Sequence, residues 1–303
     1  MAIAVSGLTK KFGSHAAVDD LSFSVEPGTV TGFLGPNGAG KSTAMRCMLE
    51  LDPKNSGSVL FDGSRFGDLD QPIRTVGSLL DATAFDPNRS ARSHLRFLAA
   101  SGGLPKSRVD DVLGLTGLHE VSKRHVGHFS LGMHQRLGIA AAALGDPKYM
   151  FLDEPTNGLD PEGIKWVRQF LREMADEGRG ILVSSHLLSE LELYVDHLVV
   201  IGKGRMLAQG SVQELKGQQL ATITVRAPER ERLTELLTQR GATCTPTASN
   251  TFEVQGVPAE LIGDLAALEH IAVHELHTEE VTLEAAFLDI TRESQEYKSG
   301  GAQ

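Results

Sequence analysis

Residues 35–43, Gly-Pro-Asn-Gly-Ala-Gly-Lys-Ser-Thr, constrain this chain more than any other stretch. The spacing G-x-x-x-x-G-K-[ST] makes physical sense only as a loop between a strand and a helix. The apolar run Val30–Leu34 reads as the strand, and Ser42–Glu50 as the helix whose positive end faces the loop. Gly35, Gly38 and Gly40 let the backbone curl so that successive N–H groups point inward at phosphate oxygens. Pro36, Asn37, Ala39 and Thr43 complete the loop, Lys41 brings a charge for the β- and γ-phosphates, and Ser42 offers a hydroxyl to Mg²⁺. A chance glycine turn would lack the flanking strand and helix. The sequence therefore predicts a nucleoside triphosphate site.

Composition limits the remaining possibilities. The 303 residues have room for one large domain or two, and 41% hydrophobic residues suffice for a core. No apolar run approaches the roughly 20 residues needed to cross a bilayer, and the N-terminal residues do not read as a secretory signal. Cys47 and Cys244 lie far apart, which fits free thiols in a reducing compartment. The net charge is −10, and from Gln218 onward 14 Asp and Glu face only 6 Lys and Arg. Such an acidic C-terminal part repels nucleic acid and anionic membrane surfaces, so no nucleic-acid partner is expected.

Strand patterns over Ile3–Leu8, Leu21–Val25, Val30–Leu34 and Val59–Asp62 open the chain. A helical block follows, with Val109–Leu115 and Leu131–Leu144 its clearest members and bounds of about 82–145. Strands then return at Tyr149–Leu152, Gly180–Ser184 and Leu198–Ile201, separated by helical stretches near Ile164–Ala175 and Leu187–Tyr194. Strands alternating with helices imply an α/β core with a parallel sheet, into which the helical block is inserted. A boundary at 217/218 leads to a small α+β unit over 218–292. Its order reads strand Ala221–Arg226, helix Glu229–Arg240, strands Thr243–Thr247 and Thr251–Gln255, helix Ala259–Leu268, strand Ile271–His277 and a last helix Thr282–Thr291. The polar tail 293–303 reads as disordered.

Beyond the loop, Tyr149–Asp153 is an apolar strand ending in Asp153 and Glu154. Acids at the carboxyl end of a parallel strand sit where ligands bind. Asp153 is placed to hold Mg²⁺, and Glu154 to take a proton from, or orient, an attacking water. Phe129–Arg136 reads as a loop entering a helix with Ser130 as its N-cap. His186 falls at another strand end, where an isolated histidine would be read as packed or solvent-facing. The histidines at 270, 274 and 277 read as a scattered surface group, with His277 facing away from the others on a strand. Trp166 reads as core or interface packing.

Together these residues resemble the ATP-binding subunit of an ABC transporter over roughly residues 1–217. Residues 35–43 match its Walker A motif, and Tyr149–Asp153 with Glu154 match Walker B and the catalytic glutamate. Ser130, Leu131, Gly132 and Met133 occupy the signature motif, Asp160 closes the D-loop, His186 stands at the switch histidine and Phe12 at the adenine-stacking aromatic. The resemblance implies a P-loop (RecA-like) ABC ATPase core with an antiparallel β part and an inserted helical subdomain. It also implies ATP and Mg²⁺ as cofactors, and it is nearest to the drug-resistance and bacitracin-export branch. Two departures stand out. Leu131 and Met133 replace the first Gly and the Gln of the usual LSGGQ. Asp81 replaces the Q-loop glutamine as a metal ligand, where a shorter, charged side chain bears on hydrolysis and coupling; a slipped correspondence is the other reading there.

The family pattern implies a head-to-tail dimer of two copies, with Ser130 and Gly132 of one facing ATP on the other. It also implies a separate multi-span permease and a place on the cytoplasmic face of the membrane. Two competitors are a soluble ATPase acting on nucleic acid or the ribosome, and a regulator that binds nucleotide without turnover. One cassette, no sustained heptads and an acidic C-terminal unit oppose the first. Lys41, Asp153, Glu154 and His186 oppose the second.

Overall fold

Strand β3 (Val30–Leu34) is buried along its whole length, as a strand inside a sheet covered on both faces must be. It follows two strands of a separate antiparallel sheet, β1 (Ile3–Phe12) and β2 (His15–Val25). The computed structural model describes residues 2–217 and 222–279. They fall in two compact units, the first ending at Val212 and the second beginning at Gln213. The division lies inside a short helix, Val212–Gly217, a few residues before the boundary read from composition.

In the first unit, β1 and β2 join β4 (Ser56–Phe61) in the order β2-β1-β4. Alternation places Ile3, Val5, Leu21, Phe23, Val25, Val59 and Phe61 on the buried face. The expected short strands are here continuous pairs whose register slips let them extend, so that β1 runs to Phe12, opposite His15. Phe23 stacks on Phe33 of β3 with centroids 5.5 Å apart, which joins the two sheets through one apolar layer.

The second sheet adds β5 (Val76–Leu79), β6 (Tyr149–Asp153), β7 (Gly180–Ser185), β8 (His197–Gly202) and β9 (Arg205–Ser211) to β3. Its order is β5-β6-β7-β3-β8-β9, parallel except for β9, which pairs antiparallel to β8. Neither β5 nor β9 is legible by periodicity: Val-Gly-Ser-Leu is too short, and Arg205–Ser211 is an edge strand of mixed polarity. Helix α1 (Lys41–Met48) follows β3, and a single turn, α2 (Pro72–Thr75), precedes β5. The inserted block contains α3 (Ala91–Ser101), α4 (Ser107–Leu115) and α5 (Leu131–Ala143). Helix α6 (Pro161–Asp176) links β6 to β7. The helix expected over Leu187–Tyr194 is one turn, α7 (Leu188–Leu191), because the chain must return to β8 by His197.

After α8 (Val212–Gly217), inside which the division falls, the second unit continues with β10 (Thr222–Arg226), α9 (Arg230–Thr238), β11 (Thr243–Ala248), β12 (Thr251–Gln255), α10 (Ala259–Leu268) and β13 (Glu275–Glu279). The strands form one antiparallel sheet in the order β11-β12-β10-β13, as a βαββαβ unit requires. Its own core gathers Ile223, Val225, Leu233, Leu237, Phe252, Val254, Ile262 and Leu265. The last strand starts at Glu275 rather than Ile271, so His270 and His274 precede it and the facing argument does not apply to them. The helix expected at Thr282–Thr291 and the tail 293–303 lie outside the described residues.

Candidate nucleotide-hydrolysis site

The parallel order places the carboxyl ends of β3, β7 and β6 side by side, and the chemistry-bearing residues follow these ends. After β3, the 35–43 loop turns into α1. A Cβ on Gly35 would lie 2.5 Å from the Ile201 carbonyl oxygen, and one on Gly40 2.3 Å from that of Ala17. Packing of the protein on itself therefore demands Gly35, and packing together with a φ of +105° demands Gly40, where the sequence pointed to phosphate approach. Gly38, by contrast, has open space before it and is set by its φ of +80°. Gly40 is the N-cap of α1 and supplies no side-chain acceptor, and no acid stands in the first turn. The N–H groups at the start of α1 thus face the loop with no side-chain cap and with the helix dipole behind them.

Lys41 is 6% exposed. Its Nζ donates to the Gly35 carbonyl at 2.8 Å and stands 3.4 Å from Glu154 Oε1. The other carboxylate oxygen of Glu154, Oε2, lies 2.9 Å from His186 Nδ1. One carboxylate therefore sits between the loop lysine and the histidine after β7. Asp153, the last residue of β6, is opposite Ser184 of β7, whose hydroxyl donates to Asp153 Oδ1. Ser42, an exposed residue, is the second residue of α1.

Other predicted residues stand nearby or at the rim. Asp81 lies two residues past β5, at the same end of the sheet as Asp153. Its Oδ1 accepts from the Thr83 N–H at 2.7 Å and the Thr83 hydroxyl at 2.6 Å, which hold its pKa below the usual carboxylate range. Phe12 is 55% exposed at the β1–β2 hairpin end, with the Lys10 ammonium 4.7 Å from its ring centroid. Ser130 caps α5, its Oγ accepting from the Met133 N–H at 3.3 Å. Asp160 caps α6 in the same way, accepting from the Gly163 N–H at 2.9 Å. Leu131, 47% exposed, fills the space above Gly158: a Cβ there would meet Leu131 Cδ2 at 2.1 Å. Gly132 faces Leu159 across the same seam. Trp166 is half-buried on α6, stacked on Phe170, with the Arg136 guanidinium 4.2 Å above it.

Three residues of the site escaped the sequence reading. Ser184 looked like part of an apolar strand. Gln135 sits in the polar run Met-His-Gln-Arg, yet it is only 5% exposed, and its Nε2 donates to the carbonyls of Glu154 and Asn157. Thr156 is buried and donates to Glu190 Oε2 at 2.8 Å. A polar side chain inside an otherwise apolar strand was the signal available for Ser184; Gln135 carried none.

The residues present fit a nucleoside triphosphate with a hard cation. The uncapped helix end and the lysine suit a polyphosphate, and the Ser42 hydroxyl and Asp153 carboxylate are oxygen donors of the kind such a cation takes. Strand, glycine loop, lysine-headed helix and the acidic end of β6, one strand removed from β3 across β7, define the protein as a P-loop nucleoside triphosphatase. The comparisons with known proteins sharpen this class. A family model described as "ABC transporter" matches residues 18–157, and one described as "Domain of unknown function (DUF8746)" matches 221–284. The chain is 40% identical to the bacitracin transport ATP-binding protein BcrA of Bacillus licheniformis over 78% of each chain. It is 37% identical to the lantibiotic transport ATP-binding protein SrtF of Streptococcus pyogenes, over 68% of this chain and 89% of that one. A solved structure of an ATP-binding subunit of an ABC transporter superposes with a TM-score of 0.66 at 28% identity, over 72% of this chain and 93% of the other. The chain belongs to the ATP-binding subunits of ABC transporters, which bind and hydrolyse ATP.

Proposed function

We propose that this subunit powers export of an antibiotic, drug or lipid-like molecule through a separate permease, working as a head-to-tail pair with a second copy of itself. The observation that carries the catalytic part is the placement of Glu154 between Lys41, at 3.4 Å, and His186, at 2.9 Å. In this reading Glu154 accepts the proton of the attacking water, and His186 holds the carboxylate and the γ-phosphate oxygens in line. Lys41 leaves the Gly35 carbonyl for the β- and γ-phosphates, and the N–H groups opening α1 take the remaining oxygens. Ser42, Asp153 and Asp81 would hold Mg²⁺, and the chemistry it would supply when bound is positive charge for the phosphate oxygens. Phe12 stacks on adenine.

A second copy is needed because one phosphate loop supplies donors from one side only. Among the described residues no hydrogen bond joins 130–133 to the loop of the same chain; Ser130 bonds locally to Met133 and His134. Ser130, Leu131, Gly132 and Met133 are assigned to the partner's nucleotide, with Asp160 at the seam. Among the described residues no helix is long and apolar enough to cross a membrane; the place on the cytoplasmic face is assigned through the separate permease. The likeness to BcrA and SrtF supports an antibiotic or similar amphipathic cargo.

The test is a tagged pull-down from gently solubilised native membranes, with co-purifying proteins identified by mass spectrometry. A stoichiometric multi-span protein is expected. Ribosomal or nucleic-acid-bound proteins without a permease would replace this reading with a soluble ATPase.

A further inference from the structure

Glu154 has a backbone φ of +48°, in the left-handed region that a residue with a side chain keeps only when its surroundings hold it there. Both sides of the residue are held. Its N–H donates to Ser184 Oγ at 2.9 Å. Its carbonyl accepts from the Asn157 N–H at 3.1 Å and from Gln135 Nε2 at 3.4 Å. Ser184 is 0% exposed, and it stands in register with Asp153 across the β6–β7 pair. A hydroxyl carries a single proton. The Glu154 N–H is the donor in its bond to Ser184, and the Asp153 carboxylate can only accept, so the Ser184 proton is committed to Asp153. One hydroxyl therefore orients the carboxylate of Asp153 and the peptide of Glu154 at the same time.

We propose that Ser184 is a positioning residue for ATP hydrolysis, fixing the cation-holding carboxylate of Asp153 and the left-handed backbone that aims Glu154. The inference rests on the roles given to Asp153 and Glu154 under the proposed function. Strand β7 is buried along its whole length, and a buried hydroxyl is retained at a cost unless it is bonded. A merely structural bond would change stability alone. A positioning bond changes how the site responds to cation and how fast it turns over, with nucleotide affinity intact.

The test compares Ser184→Ala, Ser184→Thr and Ser184→Val with Glu154→Gln in the purified full chain. Thr and Val have nearly one shape and differ in the hydroxyl, so the comparison stands even where Ala fails to fold. Four quantities are measured: ATP affinity by calorimetry without Mg²⁺, the Mg²⁺ concentration that half-saturates its effect on nucleotide binding, kcat with KM, and the thermal midpoint. Ser184→Val is expected to lower kcat about tenfold or more and to raise half-saturating Mg²⁺ about tenfold, with Mg²⁺-free ATP affinity within about twofold. Ser184→Thr should keep every value within about threefold of wild type. Equal kcat and Mg²⁺ response in the Thr and Val variants, at whatever level, would overturn the inference. So would losses that merely follow the thermal midpoint. Glu154→Gln separates the two readings: wild-type turnover there removes the assumed role of Glu154. Lost turnover there with a normal Ser184→Val removes only the role of Ser184.

Discussion

Lys41 shows how much one side chain can be asked to do. It is buried, bonded to its own loop and close to Glu154, an arrangement that satisfies the ammonium in the absence of nucleotide and that, in the proposed function, polyphosphate would replace. Lys41→Ala should weaken ATP binding by roughly ten- to a hundredfold, the range for losing a hydrogen bond to a charged group. Calorimetry giving unchanged affinity would remove the lysine from the phosphate site. Glu154→Gln keeps size and backbone but cannot take a proton. It should bind ATP as the wild type does while turnover falls by about a hundredfold or more, and phosphate release at the wild-type rate would exclude Glu154 as the base.

At the level of elements, the start of α5 and the loop before α6 are fitted to each other by size. Leu131 stands where the family commonly has glycine, and Gly158, with φ +74°, lies directly beneath it. Gly158→Ala should destabilise by about 2 kcal/mol or more, from left-handed strain plus the clash. Adding Leu131→Ala should recover the clash and leave the strain, so a double-mutant cycle should give a favourable coupling of about 0.5–3 kcal/mol. Additive losses would show that the two residues do not press on each other. On α3, His94 meets Phe85 edge-on at 4.9 Å. Burial, helped by Arg89 and opposed by Asp86, holds its pKa below the ordinary 6.5. The unfolded chain therefore binds the proton more readily. Stability should fall as pH drops from 6.5 to the folded pKa and level off below it. Thermal midpoints measured from about pH 7.5 to about pH 5.5 should show a shallower slope for His94→Gln; identical slopes would place the titration elsewhere.

For the whole molecule, the division at Val212/Gln213 separates two units with separate cores. Every side chain proposed to meet the nucleotide lies in the first. A chain ended after Gly217 should therefore retain ATP affinity to within about threefold, and its loss in calorimetry would tie the second unit to the site. The acidic balance that begins at Gln218 belongs to that second unit and the residues after it, and says little about the cassette.

The phosphate loop and the acid pair were legible because each is a local pattern, whereas His186 carried no local signal and entered only through the family resemblance. Fixed spacing sets a strand, a tight loop and a helix end within a few residues, and an apolar run ending in acids marks a buried strand reaching a ligand crevice. The alternation of strands and helices likewise determined an α/β core with an inserted helical block and a smaller α+β unit. The strand β5 and the edge strand β9 were not legible, because four mixed residues or a polar edge carry no period. Nor could spacing say why Gly35 and Gly40 are glycines, since Ile201 and Ala17 meet them only after folding. Only the tertiary structure decided that Lys41, Glu154 and His186 converge, and that Ser184 and Gln135 stand behind them. Those contacts join strands and helices far apart in the chain, and their geometry depends on sheet order, register and the packing of α5.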